Sequence, residues 1–278
     1  MPGTLYVVAT PIGNLEDVTL RALRVLSEVS VVAAEDTRRT GNLLRHYGIA
    51  TPLLSLHAHN ERARARHIVE RLGRGEHVAL VTDAGTPAVS DPGAAAVGAV
   101  RRAGYPVVPV PGPSAITALL SVAGVGETGF RFLGFPPIRS KDRKQWFARL
   151  VDSASETAIF YEAPHRLAKT LTELGKYLGN RPILLGRELT KMHEETVWGS
   201  AAELAQKLSA VRGECTLLVP PSSEPIGPRE ALPDEHVAKL FCEMTKTARS
   251  RREAARMVGQ KIGLSTQSVY AALERAKS

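Results

Sequence analysis

Residues 81–93 read VTDAGTPAVSDPG. They follow the apolar run HVAL and lead into GAAAVGAVRRAG. A run of strand length, then a turn holding two glycines, two prolines and two aspartates but no basic residue, then a helical pattern together describe one βα unit. Working outward, the alternation repeats. LYVVAT, VVAAED, PLLSLHA, HVALVTDAG and PVVPVPG read as strands, about five before Gly124. LRALRVLSEV, TGNLLRHYG, ERARARHIVERLGRG, DPGAAAVGAVRRAG and PSAITALLSVAG read as the intervening helices. Strands alternating with helices predict a mainly parallel sheet covered by helices on its faces.

After the break GVGETG a second series begins: FRFLGF, a helix around Lys141–Val151, ETAIFYEA, a helix over Pro164–Leu178, RPILLGREL, HEETVWGS, a helix around Ala201–Leu208, and GECTLLVPP. HEETVWGS follows RPILLGREL too closely for a crossover, which predicts an antiparallel pair and so a mixed second sheet. PPSSEPIGPREALP carries five prolines and reads as a semi-rigid linker. Beyond it lie three helical patterns, with Ser265 as the expected N-cap of the last. The expected organisation is an α/β first lobe over 1–124, an α/β second lobe over 125–221, a linker over 222–233 and a basic helix-turn-helix-like module over 234–278. The module reads equally well as a reader of nucleic acid and as a small bundle packed on its own chain.

With 44% hydrophobic and 23% charged residues among 278, the composition is that of an ordinary globular protein. Cys215 and Cys242 fall outside any CxxC spacing, which excludes a thiolate zinc cluster and fits a reducing compartment. The first residues lack a charged lead and a long apolar core, and no apolar run approaches membrane-spanning length, so the expected location is cytoplasmic. The formal net charge is +8; residues 229–278 hold 10 Lys+Arg against 6 Asp+Glu, or +4, leaving +4 on the other 228. Basic charge gathered on one module suits either a polyanionic partner or a solvated helix face.

A GxGxxG fingerprint after the first strand, a P-loop and an HExxH motif are all absent, which disfavours ordinary NAD binding, NTPase chemistry and zinc catalysis. What stands out is a set of tight turns after strands: TPIGN, EDTR, DAGTP and PGPSA. In an open α/β sheet, ligands bind beyond the carboxyl ends of the strands. Glycine lets the backbone approach a ligand closely, and proline reduces the ordering entropy lost on binding.

VATPIGNLEDVTLRAL, AEDTR, VTDAGTPAVSDPG, PVPGPSA, GFPP, YEAPHR, GRELTKMHEE and GECTLLV occur in this order between Leu5 and about Pro221. In that order they resemble the tetrapyrrole methylase superfamily of S-adenosylmethionine enzymes. Within it they are similar to the branch that methylates a cytidine ribose 2'-oxygen in small-subunit ribosomal RNA. Corrin and porphyrin methylases carry a glycine-richer first loop, and a Gly-Asp-Pro tripeptide where this chain has Gly85-Thr86-Pro87. The resemblance implies a two-lobed class III methyltransferase and a homodimer. It implies a cofactor held by Asp83, Ala84, Gly85, Thr86, Pro87, Ser114 and Ala115 from the first lobe and by Tyr161, Cys215 and Thr216 from the second. An acidic edge suits the cofactor's cationic half, while basic surface suits small-subunit ribosomal RNA, expected as part of an assembled small ribosomal subunit. No metal is expected.

Methyl transfer to a hydroxyl gains from a base, for which Glu35, Asp36, Glu162 and His165 are candidates, with Glu188 and Glu195 behind them. Asp83 is expected near the cofactor's ammonium or ribose, or holding its own turn. Arg38, Arg166, Lys246, Arg249, Arg251, Arg252 and Arg256 are the candidate RNA contacts; Arg38 serves equally as an internal partner of Glu35 or Asp36, and Arg166 of Glu162. The alternatives are a tetrapyrrole methyltransferase of the same fold and a DNA-binding regulator with a ligand-sensing domain.

Overall fold

The computed structural model describes residues 2–126, 129–152, 155–207, 213–222, 234–245, 248, 250–262 and 266–276. The first sheet contains β1 (Leu5–Val8), β2 (Val31–Ala34), β3 (Leu53–Ser55), β4 (Val78–Val81) and β5 (Val107–Val110), in the order β3-β2-β4-β1-β5. Every pairing in it is parallel. The connecting helices are α1 (Leu20–Glu28), α2 (Thr37–His46), α3 (Glu61–Gly73) and α4 (Ala94–Arg102), and α5 (Ala115–Ala123) follows β5.

The unbroken apolar runs of β2 and β4 are explained by burial on both sides. In β4, Val78 and Leu80 pack with Ile68, Leu72, Ala96 and Val100 of α3 and α4. Ala79 and Val81 point the other way, into a cluster with Leu26 and Leu44 of α1 and α2. Each fully buried Leu or Ile on these faces contributes roughly 1.5–3 kcal/mol.

The second sheet contains β6 (Phe130–Phe132), β7 (Thr157–Glu162), β8 (Pro182–Arg187), β9 (Glu195–Ser200) and β10 (Cys215–Val219), in the order β6-β7-β10-β8-β9. Only β6 and β7 run parallel. The close succession of RPILLGREL and HEETVWGS gives the expected antiparallel ladder, from Pro182 opposite Ser200 to Arg187 opposite Glu195. Helices α6 (Ser140–Asp152), α7 (Pro164–Leu178) and α8 (Ala201–Lys207) complete this series. Proline at the first position of α7 fits, because that N–H has no helical partner to lose.

The chain divides into two compact units, Met1–Phe147 with Glu156–Pro221, and Ala148–Ser155 with Ser222–Ser278. Both sheets belong to the first unit and share an apolar seam. Ile116 and Leu119 of α5 pack there with Ile159, Leu184 and Leu218. Gly186 in β8 leaves room for this seam: a Cβ there would lie 2.7 Å from Leu119 Cδ1, so the leucine would have to shift.

In the second unit, α9 (Asp234–Thr245), α10 (Arg251–Ile262) and α11 (Thr266–Arg275) enclose their own core of Val237, Phe241, Ala254, Val258, Val269 and Ala272. The linker from 223 onward, the expected cap Ser265, and Lys246 and Arg249 lie outside the described residues. Among the described residues no helix is long and apolar enough to cross a membrane.

Candidate active site

Because the first sheet is parallel, the turns after β1, β2, β4 and β5 all leave it at one edge. There they open onto a cavity of about 400 Å³. Ile12 comes from the first turn, Glu35 and Arg39 from the second, Asp83 to Thr86 and Val89 to Asp91 from the third, and Ser114 and Ala115 from the fourth. The opposite wall is Phe135, Tyr161 to Pro164 and Glu214 to Thr216. Strand register explains that wall: β7 ends where antiparallel β10 begins, so Tyr161 lies opposite Thr216 and Glu162 opposite Cys215.

The turn after β4 is fixed at several points. Thr10 and Gly85 exchange backbone hydrogen bonds of 2.9 and 3.0 Å, with Gly85 at φ +81°. The chain then doubles back with Ala88 and Ser90 at φ 67° and 66°, a left-handed conformation that costs an L-residue about 1–2 kcal/mol each. The far end is held from α3. Glu61 Oε1 accepts from the backbone N–H groups of Gly93 (3.0 Å), Ala95 (2.7 Å) and Ala96 (3.2 Å), capping α4 where Gly93 offers no side chain.

Five carboxyl groups line the cavity against a single Arg39. Glu35 accepts from the Thr82 hydroxyl at 2.8 Å. Asp83 accepts from the Asp36 backbone N–H at 3.0 Å and faces Arg39 at 3.5 Å, so it ties the EDTR turn to its own. Glu214 meets Lys191 at 3.1 Å. Glu162, with a fully buried side chain, is enclosed by Arg166 at 3.2 Å, Arg143 at 4.0 Å, the Thr170 hydroxyl and the Ala163 N–H. Asp91 differs from these. Burial first, then the nearby negative charge of Glu35, pushes its carboxyl up to about 6, against a hydrogen bond from Thr82 that works the other way. Burial likewise raises the Tyr161 phenol to about 12 and the Cys215 thiol to about 11, so both stay protonated.

Of the residues singled out in the sequence, Glu35, Asp83 to Thr86, Ser114, Ala115, Tyr161, Glu162, Cys215 and Thr216 meet at this cavity. Pro87 is not part of its lining. Asp36 is the N-cap of α2 and is bound by Arg38 at 3.2 and 2.9 Å, an arrangement that holds its carboxyl down at about 2. His165 is exposed on the first turn of α7 and away from the lining. Arg166 pairs with Glu162 and donates to the Pro136 carbonyl. Glu188 takes the Glu214 N–H and Lys191, each at 2.9 Å, while Glu195 pairs with Arg187 at 2.8 Å. In the second unit Arg251 and Arg252 are exposed, with Arg251 lying 5.9 Å over the Phe241 ring. Arg256 belongs to α10. Sequence reading did not single out Arg39, Asp91 or Glu214 as site residues, although Asp91 and Glu214 lie within motifs it quoted and Arg39 directly follows one.

The family model of tetrapyrrole (corrin/porphyrin) methylases matches residues 4–205. The chain belongs to this family. It is 40% identical over 276 residues to the ribosomal RNA small subunit methyltransferase I of Halalkalibacterium halodurans, spanning 96% of this chain and 93% of that protein. It is 44% identical over 262 residues to the protein of the same name from Neisseria meningitidis serogroup B, spanning 93% and 90%. Uroporphyrin-III C-methyltransferase from Thermus thermophilus, crystallised with S-adenyl homocysteine, superposes with a TM-score of 0.55 at 22% identity, over 78% of this chain and 97% of that one. That likeness is one of fold. The two-lobed α/β architecture expected of a tetrapyrrole methylase is therefore the architecture found.

Proposed function

We propose that this tetrapyrrole methylase transfers a methyl group from S-adenosylmethionine to the 2'-oxygen of a cytidine ribose in small-subunit ribosomal RNA. The observation that carries the reading is identity of 40% and 44%, over more than nine-tenths of the chain, to two proteins named ribosomal RNA small subunit methyltransferase I.

The cavity fits the cofactor. Its volume lies in the range of small-molecule sites. Its carboxyl-rich lining suits a ligand bearing a sulfonium and an ammonium, and the Gly85 turn and the start of α5 offer backbone close by. Asp83 to Thr86, Ser114 and Ala115 would hold it on one side and Tyr161, Cys215 and Thr216 on the other. Bound there, S-adenosylmethionine supplies a methyl on positive sulfur; transfer breaks the S–C bond, leaves its electron pair on sulfur as a neutral thioether, and forms an O–C bond as the hydroxyl releases its proton.

The chain's own residues orient and desolvate the reactants, an effect that can supply roughly 7–11 kcal/mol of barrier lowering. Asp36 is committed to Arg38, Glu162 to the Arg143–Arg166 web, Asp83 to the Asp36 N–H and Glu214 to Lys191, which leaves Glu35 and Asp91 as the carboxylates to receive the hydroxyl proton. Near neutral pH Asp91 is ionised yet more basic than an ordinary aspartate, a combination that suits a general base. Acceptance of the assembled particle and a homodimeric state belong to the same reading.

The test is labelled-methyl transfer to small ribosomal subunits from cells lacking the enzyme, with naked RNA and uroporphyrinogen III as rival acceptors and sedimentation to give the oligomeric state. The expected result is label in an alkali-resistant linkage within the RNA. Label on the porphyrinogen, or none on RNA in either form, would overturn the reading.

A further inference from the structure

A second cavity of about 190 Å³ adjoins the first and shares Arg39 and Asp83 with it. Its other lining includes Thr40 and Asn42, whose hydroxyl and amide groups can meet sugar or phosphate oxygens, and Thr10 and Thr82, whose hydroxyls are already donated to the Thr82 carbonyl and to Glu35, with apolar Pro11, Leu15 and Leu43 between them. We infer that this second cavity is the acceptor subsite: it receives the sugar-phosphate backbone of the RNA, and Arg39 binds a phosphodiester at the wall between the two cavities. The inference rests on the methyltransferase reading above and specifies where its acceptor is held.

Three observations converge on Arg39. The larger cavity is lined by five carboxyl groups and one arginine, a lining that suits a cation better than a phosphate. The smaller one has a single carboxyl group, Asp83, and that one is already engaged by the Asp36 N–H. The adjacent arginines of α2 are also unequal. Arg38 is committed to Asp36 through two hydrogen bonds, whereas Arg39, with two-thirds of its side chain exposed, meets Asp83 only at 3.5 Å. A guanidinium with most of its five donors uncommitted can turn to a phosphate without stripping a buried partner. Asn42 lines the smaller cavity alone. Its carbonyl oxygen accepts from Arg45 at 2.8 Å, and its amide N–H groups remain as donors for an incoming sugar or phosphate oxygen. A sugar seated among these groups presents a hydroxyl toward the wall behind which the methyl donor is held.

Two full-length variants separate this subsite from the donor cavity. Arg39→Ala removes the shared cation; Asn42→Asp places a negative charge in the smaller cavity alone, at an exposed position where folding is not at risk. The probes are under-methylated small ribosomal subunits, bound at several salt concentrations with S-adenosylhomocysteine present, and S-adenosylhomocysteine alone by calorimetry. Each variant is expected to weaken subunit binding roughly five- to tenfold, and Arg39→Ala to flatten the log–log salt slope by about 0.7–0.9, while cofactor affinity in Asn42→Asp stays within roughly threefold. Arg39→Lys should recover part of the loss. Unchanged subunit affinity and slope in both variants, with the wild type still transferring methyl, would overturn the subsite and leave the enzymatic reading intact. Loss of cofactor binding in step with subunit binding in Asn42→Asp would overturn it too, by assigning the smaller cavity to the donor. A wild-type chain that methylates no RNA overturns both.

Discussion

Asp91 gives the sharpest residue-scale test, because one side chain has opposite effects on stability and on activity. Its carboxyl rises from an ordinary 3.8 to about 6 through burial and the negative charge of Glu35, with Asp83 and Glu214 adding to the same effect. The folded state therefore holds this proton more tightly than the unfolded chain. Stability from this group is complete below about pH 4 and is lost as pH rises through about 6. Asp91→Asn is expected to flatten that decline and to stabilise the protein at pH 7 by about 1 kcal/mol, after allowance for solvent screening. Denaturant titrations across pH 4–8 would read this out. If Asp91 accepts the hydroxyl proton, the same variant loses about 10²- to 10⁴-fold in kcat. In the wild type, S-adenosylmethionine should bind roughly threefold more tightly above pH 6 than below it, since the ligand is cationic and the carboxylate is then charged. Asp91→Asn should abolish that dependence in calorimetry. Both aspartates of VTDAGTPAVSDPG were legible as an acidic turn. That Asp91 returns to the cavity was not, because the return depends on Ala88 and Ser90 adopting left-handed backbone that neither residue type signals. The choice between Arg38 and Arg39 was hidden for a similar reason: it follows from Asp36 becoming the N-cap of α2 and capturing Arg38.

At the scale of elements, the decisive arrangement is a helix of the first lobe capped by a side chain from its neighbour. Glu61 at the start of α3 satisfies three N–H groups at the start of α4, and the turn bearing Asp91 ends there. Glu61→Ala leaves those donors to solvent and should cost about 1–2 kcal/mol in unfolding free energy, with Glu61→Gln milder because an acceptor oxygen remains. The more telling readout is S-adenosylhomocysteine affinity. Glu61 is outside the cavity lining, so weakened binding in a variant that still folds would show that the cap positions the turn; unchanged binding would limit Glu61 to stability. Elements of this kind were largely readable. Alternating strand and helix patterns gave five parallel strands, and the short link after RPILLGREL gave the β8–β9 pair, because connection length constrains strand direction. The capping carboxylate was not readable, since nothing local links Glu61 to Gly93, 32 residues away. Pairing of β7 with β10 is equally non-local, and it alone brings Tyr161 opposite Thr216.

Across the whole molecule, the proposed function assigns two charge patterns to two ligands. The cavity concentrates carboxyl groups, while Lys246–Lys261 carries six basic residues against one acidic. The second unit closes its own apolar core around Phe241 and Val258, so its exposed Arg251 and Arg252 are not required for packing the sheets of the first. A chain truncated before Pro228 should therefore keep its affinity for S-adenosylhomocysteine while binding small ribosomal subunits more weakly. If several of the lost cations contact phosphates, each removes about 0.7–0.9 from the log–log salt slope, so the truncated chain should bind with a distinctly shallower salt dependence. Arg251→Glu with Arg252→Glu in the full-length protein tests the same point without deleting an element. Reversing two charges should depress subunit affinity at low salt and converge toward wild type as salt screens the difference, with a Debye length of about 10 Å at 0.1 M. Equal affinities at low salt would mean that the basic module serves only its own fold and that RNA is held by the first unit alone. In that case the Arg39 subsite would have to account for the whole of the measured salt slope.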